Sequence, residues 1–343
     1  MLPRHTRRRR APMTAQPSSS PGLTRVGRSF CATVDGVIRG VASLGRHLPD
    51  ARRRQRGVEV IRDLPYRIGG GAAQRLDVYR AVGQRPGRPA LLYIHGGGFA
   101  VCSKDTHWSL AVDYVRLGFV VFNINYRLST RHPFPAAIND AITALRWVQA
   151  QGHRFGADTR QLVIAGESAG GNLATALAVA SSYRLEHGPA RALFDTGLSP
   201  SAFIAACPVL QVSAVHRFWQ DEALVSDRAT QRILRGMQRA YIGLDASPGA
   251  FPLADPLLLL EGRAPDRALP PALTLSGDRD FLVADSRRLK RAMDALESPC
   301  ELHVYPGEHH AFHALPWKES ARRCWADQRA FLNQHVPHLQ ESP

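Results

Sequence analysis

Ser168 stands in Gly166-Glu167-Ser168-Ala169-Gly170, after the short apolar run LVIA (162–165) and before an alanine-rich stretch. This fits G-x-S-x-G, in which a sharp strand-to-helix turn exposes a nucleophilic hydroxyl and the glycines allow strained backbone and close packing. By composition alone the pattern arises in about one chain in eight of this length, so its strand-turn-helix setting carries the argument. A second cluster, His95-Gly96-Gly97-Gly98, follows the apolar run ALLYIH (90–95). Chance gives H-G-G-G in fewer than ~1% of such chains. The bland alternative is a flexible turn. The chemical one is an oxyanion hole in which the N–H groups of Gly97 and Gly98, joined by that of Ala169, face a developing alkoxide. His95 itself reads as a residue that steadies the loop.

A serine hydroxyl needs a base, and the base needs an orienting acid. Gly277-Asp278-Arg279-Asp280 follows ALTLS (272–276), and Pro306-Gly307-Glu308-His309-His310-Ala311-Phe312-His313 follows CELHVY (300–305). The order serine, aspartate, histidine is that of α/β-hydrolases, and it assigns Asp280 as acid and His310 as base. Asp278 is the alternative acid, otherwise a turn-capping carboxylate. His309 and His313 are the alternative bases, otherwise surface imidazoles. His309 and His313 also stand four apart, as metal ligands on a helix can. They lack the H-E-x-x-H order, and a metal hydrolase would leave Ser168 and the triple glycine unexplained. Neither metal nor cofactor is expected.

The elements that must carry these groups alternate in type. Residues 58–63 and 74–79 alternate as strands around a turn at Gly69–Gly71. Compact apolar runs at 90–95, 119–126, 162–165, 202–207, 272–276 and 300–305 read as buried strands. Helices are expected at 136–150, after Ser168, at 284–297 and at 317–335. Short apolar strands alternating with amphipathic helices predict an α/β fold, a mostly parallel central sheet with helices on both faces. In such sheets the site lies beyond the carboxyl ends of the strands, where every group above falls. Residues 208–250 break the rhythm and, with 23–57, are expected to form a helical cap. The core is then 58–207 and 251–340.

Formal net charge over the 343 residues is +15. Thirteen arginines against Asp35 and Asp50 put +11 of it in residues 1–57, and the other 286 residues are nearly balanced. The basicity therefore belongs to an extension. Its first 22 residues, with Arg7–Arg10 and Pro/Ser after them, cannot bury a core and are expected to be disordered. The arginines are expected to be solvated rather than bound to nucleic acid, and no apolar run of 18 residues predicts a membrane span. Five scattered cysteines without a C-x-x-C pair argue against a disulfide framework or thiolate metal site and fit a reducing cytoplasm.

HGGGF (95–99), YRLS…HPFPAAIND (126–140), GESAGGN (166–172), LPPAL (269–273), GDRDFLVADS (277–286) and YPGEHHAF (305–312) resemble the hormone-sensitive lipase family of bacterial esterases, its acetyl-esterase-like branch most. The likeness runs from about residue 58 to 335. It implies an α/β-hydrolase fold with a helical cap, no cofactor, hydrolysis of short-chain acyl esters and a homodimer. Matched motif by motif, it implies Ser168 as nucleophile, Asp280 as acid, His310 as base, and Gly97, Gly98 and Ala169 as oxyanion donors. Two positions depart from the pattern. Phe281 replaces the proline after the acid, and His309 stands where an apolar residue is common.

The expected reaction is acyl transfer to water through a serine ester, with activity rising near the ordinary histidine pKa of ~6.5. Transfer to an alcohol or amine would use the same residues, and added acceptors would reveal it. A non-catalytic ligand binder on this fold would leave Ser168 unlabelled by an organophosphonate.

Overall fold

Alternate residues of each central strand go to opposite sides of a single sheet. Ala90, Leu92 and Ile94 pack into one core while Leu91 and Tyr93 pack into the other, and Leu162/Ile164 and Val163/Ala165 divide in the same way. This two-sided burial is why the runs are apolar throughout and not alternating. The structure, a computed structural model, describes residues 25–186, 188–220 and 224–339. The expected disordered tail, 1–22, lies outside them.

Eight strands form the sheet: β1 (Val58–Pro65), β2 (Arg75–Ala81), β3 (Arg88–Ile94), β4 (Val120–Ile124), β5 (Ala157–Glu167), β6 (Ala202–Ala206), β7 (Ala272–Gly277) and β8 (Cys300–Tyr305). Their spatial order is β1-β2-β4-β3-β5-β6-β7-β8. β2 runs antiparallel to both neighbours, and every pair from β4 to β8 is parallel.

The helices are α1 (Arg25–Gly45), α2 (Pro49–Gln55), α3 (Trp108–Arg116), α4 (Ala136–Gln151), α5 (Ala169–Ser182), α6 (Gly188–Asp195), α7 (Arg217–Gln220), α8 (Arg228–Tyr241), α9 (Pro256–Gly262), α10 (Val283–Ala295) and α11 (Glu319–His335). α4, α5 and α10 cover one face of the sheet; α3 and α11 cover the other. α5 is buried along its whole length, as a helix leaving the middle of a sheet must be.

β5 is longer than LVIA suggests. Its polar first half, Ala157–Gln161, begins a ladder with β3 that shifts register between Pro89 and Ala90. β4 is shorter than 119–126, because Asn125 and Tyr126 leave the ladder for other partners. The Asn125 side chain accepts from the Lys104 N–H at 2.8 Å, and the Tyr126 hydroxyl donates to the His95 carbonyl at 3.0 Å. The HPFPAAIND motif has a structural use. Asp140, buried at the start of α4, accepts two hydrogen bonds from the Arg127 guanidinium, at 2.8 and 2.9 Å, and one from Gln74 at 2.7 Å. That buried fork fixes the chain just after β4.

Residues 208–250 do not stand wholly apart from the core. Val209, Leu210, Val212, Val215 and Phe218 join the larger apolar cluster. α7 is tied inward by the ion pair of buried Arg217 with buried Asp285. By contrast, no described side chain of α1 or α2 is buried.

Candidate active site

β5 ends at Glu167, α5 begins at Ala169, and Ser168 between them has φ 53° and ψ −117°. A non-glycine residue held there costs about 1–3 kcal/mol, which surrounding contacts must offset. Those contacts are backbone to backbone. A Cβ on Gly170 would lie 2.0 Å from the Ile94 carbonyl oxygen, and one on Gly166 would lie 2.3 Å from that of Gly170. The glycines thus let α5 press against the end of β3. The Ser168 N–H donates to the Ala206 carbonyl at 2.8 Å, holding the turn to the end of β6. The Ala169 N–H is in the first turn of α5, where amides have no intrahelical acceptor.

The loop after β3 doubles back on itself. Gly97 (φ 103°) accepts from the N–H groups of Ala100 and Val101 at 3.0 and 3.1 Å, and a Cβ on it would lie 2.3 Å from the Val101 oxygen. Gly98 (φ 57°) faces α8, with Met237 Cγ 3.5 Å from where its Cβ would be. Buried His95 stacks on Tyr126 at 4.3 Å and donates from Nδ1 to the Gly96 carbonyl at 2.7 Å. Burial, reinforced by nearby His107, lowers its pKa to about 3. His95 is a neutral brace.

Asp280 and His310 meet across the ends of β7 and β8. His310 Nδ1 is 3.0 and 3.1 Å from the two Asp280 carboxylate oxygens. Asp280 is 1% exposed and also accepts from the Leu282 N–H at 2.8 Å. Phe281, in the position of the family's proline, stacks on the His310 ring at 4.8 Å. The alternatives lie elsewhere. Exposed Asp278 accepts from the Gly307 N–H at 2.7 Å and so caps that turn, and His309 is exposed.

One neighbour was not anticipated. Buried Cys207, the residue after β6, places Sγ within 4.8 Å of both a His310 ring nitrogen and an Asp280 oxygen. Burial disfavours charge on the His310 ring, but Cys207 and the Asp280 carboxylate outweigh it and hold its pKa well above the ordinary histidine value. Burial meanwhile raises the Cys207 thiol, so near neutral pH the sulfur is a thiol. Three ligand types meet here, yet two already bind each other. His309 and His313, the pair read as a possible metal site, point to different surroundings, one exposed and one buried.

His313 belongs to a second carboxylate site behind Ser168. Glu167, 7% exposed, has Oε1 2.6 Å from His107 Nε2 and Oε2 3.0 Å from His313 Nε2. The His107 ring is held in turn by the Thr106 hydroxyl, 2.7 Å from Nδ1. Burial alone would raise the Glu167 carboxyl, but His107 and then His313 more than compensate, and its pKa falls well below the usual range. One carboxylate thereby links the serine turn, the start of α3 and the loop that carries His310.

Phe99, Trp108 and Phe218 are buried in packing. Phe99 stacks on Tyr241 at 3.8 Å. Cys207 could have been found by the rule that found the others, since it ends the apolar run AFIAAC (202–207). His107 could not, because its contact spans 60 residues without a motif.

The α/β hydrolase fold pattern matches residues 91–314, about two thirds of the sequence. The chain belongs to that family. Esterase LipI of Mycobacterium tuberculosis is 33% identical over 226 residues, 63% of this chain and 62% of LipI. Carboxylesterase NlhH of the same organism is 32% identical over 179 residues, 49% of this chain and 53% of NlhH. The chain thus matches under two thirds of the length of these relatives. An esterase from Pyrobaculum calidifontis has the same fold, with a TM-score of 0.69 at 24% identity, covering 92% of this chain and 99% of that one. Among the described residues, no helix is long and apolar enough to cross a membrane.

Proposed function

We propose that the protein is a serine carboxylesterase that hydrolyses short-chain acyl esters through an acyl-enzyme on Ser168. The observation that carries this is the bond between His310 Nδ1 and buried Asp280, at the same sheet edge as the strained Ser168 turn. Asp280 fixes the ring so that Nε2 serves as the base. His310 takes the Ser168 proton as Oγ attacks the ester carbon, then gives it to the departing alkoxide. Water, deprotonated by the same ring, releases the acid. The N–H groups of Gly97, Gly98 and Ala169 receive the negative oxygen in both steps. Helices α1, α2, α7 and α8 form the cap over this edge, and no metal or cofactor takes part.

The base must be neutral to act, and its pKa is raised. The rising limb of the pH–rate profile is therefore expected above ~6.5, the unperturbed histidine value. The deciding experiment is hydrolysis of p-nitrophenyl esters from two to sixteen carbons by the wild type and Ser168→Ala. Turnover of the shortest chains that vanishes in the variant supports the reading. Equal turnover by both proteins, or none by the wild type, overturns it.

A further inference from the structure

Helix α1 presents a face that no other described element covers. Phe30, Val37, Val41 and Leu44 are between 61% and 74% exposed, and Leu48, just past the helix, is 61% exposed. At 100° per residue the four helical positions fall within about 60° of arc and extend ~21 Å along the axis. The opposite side is the one bonded to the protein. Asp35 accepts from the Cys102 N–H at 2.7 Å, Arg39 donates to the Cys102 carbonyl at 3.0 Å, and Arg46 donates to the Asp105 carbonyl at 3.1 Å. Polar contacts thus hold the helix with its apolar stripe outward. Single exposed apolar residues need no explanation, but an aligned row of them marks an interaction surface.

Charge selects the partner. Residues 1–57 hold thirteen arginines, no lysine and two acids; Arg52 and Arg56, beside the stripe's end, are exposed. A second copy meeting this face about a two-fold axis would bring two such basic segments together. A nucleic acid would match the arginines but offer nothing apolar to the stripe. A surface with negative headgroups above hydrocarbon satisfies both.

We propose that α1 docks in the plane of an anionic lipid surface, with Phe30, Val37, Val41 and Leu44 toward the acyl chains and Arg52 and Arg56 among the headgroups. Because α1 is bonded to Cys102, whose side chain packs against the loop of Gly97, docking brings that loop within about one helix diameter, ~10–12 Å, of the lipid. The docking does not depend on the ester chemistry and is read without substrate, so the two can fail separately.

The test is flotation of the full chain with vesicles of phosphatidylcholine alone, and of phosphatidylcholine with phosphatidylglycerol. Binding is expected to the anionic vesicles and to fall at least ~10-fold between low and physiological salt. The variant Phe30→Ser/Val37→Ser/Leu44→Ser should lose ~100-fold in partition, about fivefold for each half-buried side chain. Its circular dichroism and thermal midpoint should match the wild type, which separates docking from folding. Arg52→Glu/Arg56→Glu should lose ~10-fold or more on anionic vesicles. The proposal is overturned if the wild type stays with the buffer, or if the serine variant floats as well as the wild type. It is equally overturned by a wild-type dimer that the serine variant turns into a monomer without either binding lipid, or by retention on duplex DNA without flotation.

Discussion

Two carboxylate–imidazole groupings flank Ser168, built from the same residue types and set in opposite surroundings. On one side Asp280 meets His310, whose ring is 24% exposed and whose pKa is raised. On the other, Glu167 lies between His107 and His313, all three side chains at most 11% exposed. The first couples a fixed anion to a ring that solvent can reach, as the proposed reaction requires of its base. The second holds its anion between two imidazoles and away from solvent. Access and partner number, more than residue identity, separate a proton-transfer site from a clamp. Only Ala311 and Phe312 separate His310 from His313 in the chain, so the clamp also fixes the loop that carries His310.

The comparison can be broken most directly at the nucleophile. Ser168→Ala should lower kcat by about 10⁵–10⁶-fold while its thermal midpoint stays within a few degrees of the wild type. Next comes Asp280→Asn, with an expected loss of about 10³–10⁴-fold. Since the carboxylate, with Cys207, raises the ring's pKa, the residual activity should have its rising limb moved to lower pH. A limb that stays put would mean another group orients His310.

The clamp should respond the other way, through stability. Glu167→Ala leaves two buried imidazoles without their acceptor and should cost about 3–5 kcal/mol in denaturant unfolding. Glu167 titrates lower when folded than when unfolded, so its stabilisation is full above the ordinary glutamate value of about 4.3 and fades as pH falls below it. The wild-type and variant stability curves should therefore converge in acid. The smallest effect is expected at exposed His309, where Ala should change kcat/KM by less than about twofold. A tenfold loss there would shift the base's role toward it.

Much of this was legible in the sequence. Apolar runs located β3 to β8, because strands covered on both faces demand unbroken hydrophobicity, while alternation located β1 and β2; ALTLS and CELHVY matched β7 and β8 to within a residue. The groups at the strand ends were legible because the fold puts them just after those runs. Between Asp278 and Asp280, which the sequence left open, the structure adds a difference in setting: one caps a surface turn and the other is buried against the His310 ring. The clamp was half visible. Glu167 stands in the serine motif, but its partner His107 is reached only through tertiary packing, which no local spacing encodes. The buried start of 208–250 was missed for a related reason. Its apolar residues follow no helical or strand period, since an irregular segment along the sheet edge needs none.

The near-contact of Gly170 with the Ile94 oxygen has a wider consequence. In the proposed reaction, Ser168 and the amides that would receive the negative oxygen are carried by main-chain segments that touch without intervening side chains. Their separation is then a property of the scaffold, indifferent to which residues wall the entrance. Such a protein can be altered freely around its rim, by drift or by design, and keep its reactive alignment.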